Sequence, residues 1–536
     1  MLNNEYEQKG GIDIKKLFYN GHIYTLTKTN ETVEAFIVNH HLIQFTGTLK
    51  ECEHQLKNTQ YEKINLNGKT VLPGFIDSHL HLIGYGNKLN SIDLSTATTK
   101  NDVYNLLKFA SCNNVNIVAE GFHEDLLLDG TITKLDLDQW FPNQAVVLIR
   151  RCFHTILMNE TGIKKWNVEK WNVPEGELGK DSNGQLNGYL YEGAMQKVRD
   201  LAITYPIEKL EQYIETAIQS ANSYGITSIL TEDLSYYGDW KKTFQAYINI
   251  LESKNPSLKL HLLVHHKVWK EVYEHGLFEE TPHPFLQIES VKYFLDGSLG
   301  SRTAFLKLPY SDDFNNSGIP SFELEELEHE IQSVRRKKQT VAFHIIGDAA
   351  FEMAIGVLEK YPPIKKGQRD RLIHLSVISP DGIEKIRKLP VILDLQPIFY
   401  SSDFSWIKDR IGIERLPYAY LLSTFVNSGF ICGGSSDAPI ESINPWKGIQ
   451  AAIKRIQIPN TNVDAQKEAL SLLDAIGLYT KGSAATINCK RGNIQNGYEA
   501  DFQIYEKNPF KMNIENLDKL KPVEVFVNGE QVHLKH

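Results

Sequence analysis

Eight short apolar runs alternate with helical segments along this chain, and that alternation constrains the fold more than any other feature. The runs are VLPGFIDSHLHL (71–82), GITSILTED (225–233), LKLHLLVHH (258–266), SVKYFLDGS (290–298), TVAFHIIGD (340–348), RLIHLSVIS (371–379), VILDLQP (391–397) and FICGGSSDAP (430–439). Between them lie stretches such as IEKLEQYIETAIQSANSYG (207–225) and ELEELEHEIQSVRRKK (323–338), apolar at roughly i, i+3, i+4 and i+7. Buried strands alternating with helices imply a parallel sheet, and eight such units imply an α/β fold of the (β/α)8, TIM-like barrel type.

The first and second runs stand too far apart for one helix to join them. Residues of about 85–205 therefore read as an insertion with strands of its own, NIVAEGF (116–122) and AVVLIRRCF (145–153). The two ends of the chain look alike: LFYNGHIYTL (17–26), EAFIVNHHLIQFTG (34–47) and VEVFVNGEQVH (523–533) carry β-rich runs with Asn-Gly hairpin signals. The expectation is a small β-sandwich domain composed of residues 1–70 and 485–536, with the barrel occupying 71–484.

Composition narrows the function. A net charge of −9 over 536 residues argues against nucleic acid as partner, and "RRKK" at 335–338 reads as a solvated helix face. No run of about 18 apolar residues predicts a membrane span. The five cysteines (52, 112, 152, 432 and 489) are scattered and form no CxxC pair or disulfide framework. The N-terminus lacks an apolar signal segment, so the expected compartment is cytoplasmic. The expected partner is a small-molecule substrate, with a homodimer as the oligomeric expectation.

In a barrel, catalytic groups gather at the C-terminal ends of the strands. The first run ends on His79 and His81, the fourth carries Lys292, the fifth His344, the sixth His374, and the eighth reaches Asp437. With 18 histidines in the chain, chance alone supplies roughly 0.6 His-x-His pairs, so the pair by itself says little. Its placement says more, because a period of two puts both imidazoles on one face of a strand. Taken singly, His344 and His374 read as rim histidines, and Asp437 reads as a cap before Pro439. Lys292 is unusual in an apolar run unless paired or modified. Their joint placement on strands one, four, five, six and eight is what points to a divalent-metal site.

The ordered set PGFIDSHLHL, SVKYFLDGSLGSRTA, HIIGD, RLIHLS and GGSSDAP resembles the amidohydrolase superfamily. More narrowly it resembles the YtcJ-like branch of metal-dependent hydrolases (amidohydrolase 3 type), which includes N-substituted formamide deformylases. RGNIQNGYEADFQIYEKNP (491–509) is similar to that family's closing strand. The resemblance covers almost the whole chain. It implies that His79 and His81 bind the more buried metal and that His344 and His374 bind a second. It implies a CO2-derived carbamate on Lys292 bridging the ions, and Asp437 as metal ligand and as general base and acid. The ions expected are Zn2+, one or two, and the reaction expected is attack of a metal-bound hydroxide on an amide- or formamide-like C–N bond. His154 resembles a family histidine near the pocket. His123, and Arg302 of the SLGSRTA stretch, are further candidates for substrate binding.

The resemblance thins in places. Ala349 follows the HIIGD segment where relatives carry an acidic residue or Arg. Ile373 precedes His374 where relatives carry Glu, which removes a partner for that histidine. Glu120, Gly121, His123 and Glu124 stand where relatives show an aromatic-rich turn. Two other readings remain. A mononuclear deaminase on the same fold is disfavoured by Gly347, where a glutamate three residues after the fifth-strand histidine is expected. A non-catalytic binding relative is disfavoured by the retention of all six metal-site candidates.

Overall fold

The computed structural model describes residues 14–28, 31–111, 116–122, 127–150, 155–174, 176–202, 205–253 and 256–535. Each of the eight apolar runs contributes one strand to a single parallel sheet. In chain order they are β1 (Phe75–Leu80), β2 (Ile226–Thr231), β3 (Lys259–His265), β4 (Leu286–Phe294), β5 (Val341–Ile345), β6 (Asp370–His374), β7 (Val391–Leu395) and β8 (Cys432–Gly434). Each pairs with the next in sequence. Past the strand ends, Asp437 N–H donates to His79 O (2.9 Å) and His81 N–H donates to Ala438 O (2.8 Å). These two bonds tie β1 to the segment after β8, so the barrel closes at the residues singled out for chemistry.

Close approach explains the Gly-Gly of β8. A Cβ at Gly433 would lie 2.7 Å from Ser78 Oγ, and one at Gly434 would lie 2.9 Å from the Tyr479 ring. The intervening helices obey the expected period. Leu324–Arg336 buries Leu327, Ile331 and Val334, with Glu325 and Glu326 in its first turn and Arg335 in its last, the arrangement the helix dipole favours.

The first run differs from expectation. It is two strands, not one. Thr70–Pro73 pairs with Lys15–Tyr24 and with Phe502–Tyr505 in a second sheet, and only Phe75–Leu80 enters the barrel. The change of sheet falls at Pro73-Gly74. Proline has no N–H for a ladder, and a Cβ on Gly74 would sit 2.4 Å from Thr227 Oγ1.

That second sheet contains the strands of both chain ends. Its order is Glu530–Leu534, Glu524–Val527, Phe502–Tyr505, Thr70–Pro73, Lys15–Tyr24, Thr32–Asn39 and Leu42–Gly47, with Tyr61–Asn65 also against Lys15–Tyr24. It is one continuous sheet folded over an aromatic core. The stacked pair Phe18 and Phe36 (4.8 Å) meets the stacked pair Phe502 and Phe526 (4.5 Å), with Phe18 edge-on to Phe502 at 5.0 Å, a geometry aromatic quadrupoles favour.

Residues Gly86–Tyr213 form a separate compact unit. Its sheet runs Leu178–Lys180, Leu186–Tyr191, Thr155–Met158, Ala145–Arg150, Asn116–Phe122 and Ile92–Asp93. Val146 and Leu148 face one apolar cluster, and Val147 and Ile149 face another. Burial on both faces is why this strand reads as a continuous apolar run. Among the described residues, no helix is long and apolar enough to cross a membrane.

Candidate metal centre

Strand β1 delivers His79 and His81 to the barrel mouth, and the turn after β8 delivers Asp437. His79 Nε2 lies 3.4 Å and His81 Nε2 lies 3.5 Å from Asp437 Oδ1, and one ligand atom from each of the three falls within 4.8 Å of the others. Two ligands each about 2.0–2.2 Å from a tetrahedral ion stand roughly 3.4 Å apart, so the spacing fits. His81 Nδ1–H donates to Glu232 O at 2.7 Å, which leaves its Nε2 as a lone pair aimed at Asp437. Asp437 Oδ1 is buried and accepts no hydrogen bond from the described residues. His81 Nε2 and Asp437 Oδ1 converge without a shared proton beside His79 Nε2, a donor set suited to a cation. The cap reading of Asp437 fails for the same reason, and Asp437 adopts a left-handed φ of 57°.

The other three candidates surround this trio. Lys292 Nζ is fully buried, 3.5 Å from His79 Nε2. The His374 ring sits 5.7 Å from that of His79 and 4.4 Å from that of His344. His344 Nε2 donates to Gly297 O at 3.1 Å, leaving its Nδ1 as the lone pair.

Burial sets the electrostatics. It pushes His79 and His374 well below the usual imidazole range and His344 to about 3. It lowers Lys292 to about 8 and raises Asp437 to about 6. Neutral imidazoles are the form a metal requires, and a lysine so depressed presents a neutral amine far more often than an exposed one.

Several functional side chains escaped the sequence reading. Gln396, just past β7, accepts from His374 Nδ1–H with Oε1 (2.8 Å) and donates from Nε2 to Ser435 Oγ (2.7 Å). It supplies from the neighbouring strand the partner that Ile373 cannot. Glu232, just past β2, is wholly buried, accepts from Tyr236 O–H at 2.5 Å, and is raised by burial to about 7. Asp77 accepts from the N–H groups of His79 and Ser436 and so aligns both metal-site segments. Asp296 accepts from Phe305, Ile346 and Gly347 N–H and holds the loop after β4 against β5. Each of these residues ends an apolar run or lies in one, and that was the available signal.

The substrate candidates fare differently. Arg302 spends its guanidinium on Asp312, at 3.1 and 3.0 Å, and none of its hydrogen bonds is to a metal-site residue. His123 and His154 lie outside the described residues.

Comparison with known proteins identifies the family. The amidohydrolase family model matches residues 62–533. YtcJ of Bacillus subtilis (strain 168) is 35% identical, over 97% of this chain and 100% of its own length. The N-substituted formamide deformylase of Arthrobacter pascens is 22% identical, over 96% of this chain and 97% of its own. The crystal structure of an uncharacterized metal-dependent hydrolase from Pyrococcus furiosus has a TM-score of 0.80 and 29% identity, covering 93% of this chain and 100% of that one. The barrel, the histidine-aspartate cluster at its mouth and a match spanning nearly the whole chain lead to one conclusion: this protein belongs to the amidohydrolase family and is a hydrolase acting on carbon–nitrogen bonds.

Proposed function

We propose that the protein cleaves a non-peptide amide or formamide bond, with Asp437 as the group that moves the proton. The observation that carries this reading is the convergence of His79 Nε2, His81 Nε2 and Asp437 Oδ1 at tetrahedral-ligand spacing. Among divalent ions Zn2+ suits this imidazole-rich donor set, and when bound it lowers the pKa of a water to about 7 and polarises a carbonyl.

The chain's own residues do the rest. His79 and His81 would hold the ion, and the His81 ring is oriented by its bond to Glu232 O. Asp437 takes the proton from the attacking water and returns it to the departing nitrogen. A carboxylate raised by burial to about 6 is poised for both transfers near neutral pH. Lys292, neutral often enough at its depressed pKa, adds through Nζ to CO2 and releases a proton, which turns a buried cation into an anionic oxygen ligand beside His79. His344 and His374 would hold a second ion.

Similarity to an N-substituted formamide deformylase supports beginning a substrate screen with N-formyl and then N-acyl compounds. The test is metal quantification on freshly purified protein, together with His79→Ala and Lys292→Ala. Wild type should carry stoichiometric divalent metal, and both variants should carry less. Wild-type metal content in His79→Ala would overturn the assignment.

A further inference from the structure

We propose that the cavity between the ends of β6 and β7 and the side chain of Arg455 is a carboxylate-binding site. It would receive a carboxylate carried on the amide substrate or the one released by its hydrolysis. The proposal rests on the hydrolase reading above and names the charge class of its substrate.

The cavity measures about 20 Å³ and is walled by His374, Gln396, Tyr420, Leu422, Phe425 and Arg455. That is more than the roughly 10–15 Å³ one water requires. Arg455 is 3% exposed. Its Nε donates to Glu468 O (3.3 Å) and its Nη2 to Tyr420 O (2.5 Å). The guanidinium lies over the Tyr400 ring at 4.2 Å. Its Nη1 is buried with no hydrogen-bond partner, and among the described residues no carboxylate forms an ion pair with it. The nearby Glu468 carboxylate is already spent on Thr424 N–H (2.9 Å) and Thr424 O–H (2.5 Å).

A buried guanidinium with Nη1 unpartnered and no carboxylate in ion-pair contact, only the more distant Glu468 charge, is a costly arrangement in a folded chain. Water would satisfy the donors but not the charge. A carboxylate satisfies both, because its two oxygens match the planar fork of arginine. Leu422 and Phe425 line part of the cavity, and such low-polarity surroundings strengthen the pairing. Burial lowers Arg455 to about 10, a penalty an anion would relieve. The location supports a substrate role, since His374 belongs to the candidate metal centre and Gln396 orients it. A carboxylate held by Arg455 therefore sits beside the reacting region.

Isothermal titration calorimetry on full-length protein tests this, in an Asp437→Asn background that suppresses turnover. Acetate represents the released acid and N-acetylglycine a substrate carboxylate. Acetamide and N-acetylglycinamide are their neutral counterparts. At least one carboxylate should bind about tenfold or more weakly once Arg455→Gln is added, with the neutral partner unchanged; which one responds identifies the source. Leu422→Phe, which fills the cavity and keeps the guanidinium, should produce the same selective loss, and it decides alone if Arg455→Gln fails to fold. Carboxylate affinities within twofold of the background in the folded variants would overturn the proposal and leave a cavity that holds only water. Because the readout is binding, failure of the protein to hydrolyse amides leaves this result interpretable.

Discussion

Gln396 is the residue whose role depends most directly on the three-dimensional structure, and Gln396→Ala tests it. The side chain is buried, accepts from His374 Nδ1–H at 2.8 Å, and donates to Ser435 Oγ at 2.7 Å and Asp394 O at 3.2 Å. Truncation strands a buried imidazole N–H and two acceptors, which costs about 1–3 kcal/mol of stability. It also frees the His374 ring to rotate away from the metal centre. Losing an acceptor of this kind weakens metal affinity about 10–100-fold, equivalent to about 1.4–2.7 kcal/mol. Gln396→Glu keeps an acceptor at the same reach, so its affinity should return to within a few-fold of wild type. Competition of metal-free protein against a fluorescent chelator measures all three. Wild-type affinity in Gln396→Ala, or an equal loss in Gln396→Glu, would refute the argument that this side chain orients His374.

Asp437→Asn keeps an oxygen ligand but removes the proton acceptor, so turnover of any substrate the screen identifies should fall about 10²–10⁴-fold while metal content stays near wild type. Near-normal turnover would remove Asp437 from its role. Inside the barrel, Arg371 forks onto Asp394 at 2.9 and 2.8 Å, with both side chains buried. Asp394→Leu alone should destabilise by about 3–5 kcal/mol in urea unfolding, and adding Arg371→Met should recover most of it. A single-variant cost under about 1 kcal/mol would mean the pair is not the buried unit it looks. At the opposite end of the barrel, burial raises Glu499, but Lys259 and Arg491 prevail and hold it at about 2. A folded pKa below the ordinary value means the stabilisation is complete above about pH 4.5 and disappears as pH falls through 2. The contribution is at most about 3 kcal/mol. Glu499→Gln should flatten the acid limb of a stability-versus-pH curve, and an unchanged limb would show the ion cluster contributes nothing there.

Much of the site was legible because barrel chemistry concentrates where apolar runs end. His79, His81, Lys292, His344, His374 and Asp437 are uncommon residue types at such positions. Gln396 and Glu232 end runs too, but glutamine and glutamate are ordinary there. The Gln396 side chain acts on His374, 22 residues away, and the Glu232 main-chain oxygen on His81, 151 residues away, and no local pattern encodes those contacts.

The fold divides the same way. The sequence by itself determined eight barrel strands, because strands covered on both faces read as largely apolar runs. It also determined that both chain ends are β-rich. Only the tertiary structure decided which sheet each residue joined. VLPGFIDSHL reads as one run, yet it changes sheet at Pro73-Gly74, where Thr227 Oγ1 would lie 2.4 Å from a Cβ and leaves room only for glycine. Two of the Asn-Gly pairs have opposite outcomes. Asn528-Gly529, with φ of 53° and 76°, turns a hairpin. Asn20-Gly21 merely bulges a strand that continues from Lys15 to Tyr24. There Tyr61–Asn65 pairs with the first half and Thr70–Pro73 with the second. A dipeptide can favour a turn, but the hydrogen-bonding partners that reach it from elsewhere in the chain decide whether the turn is made.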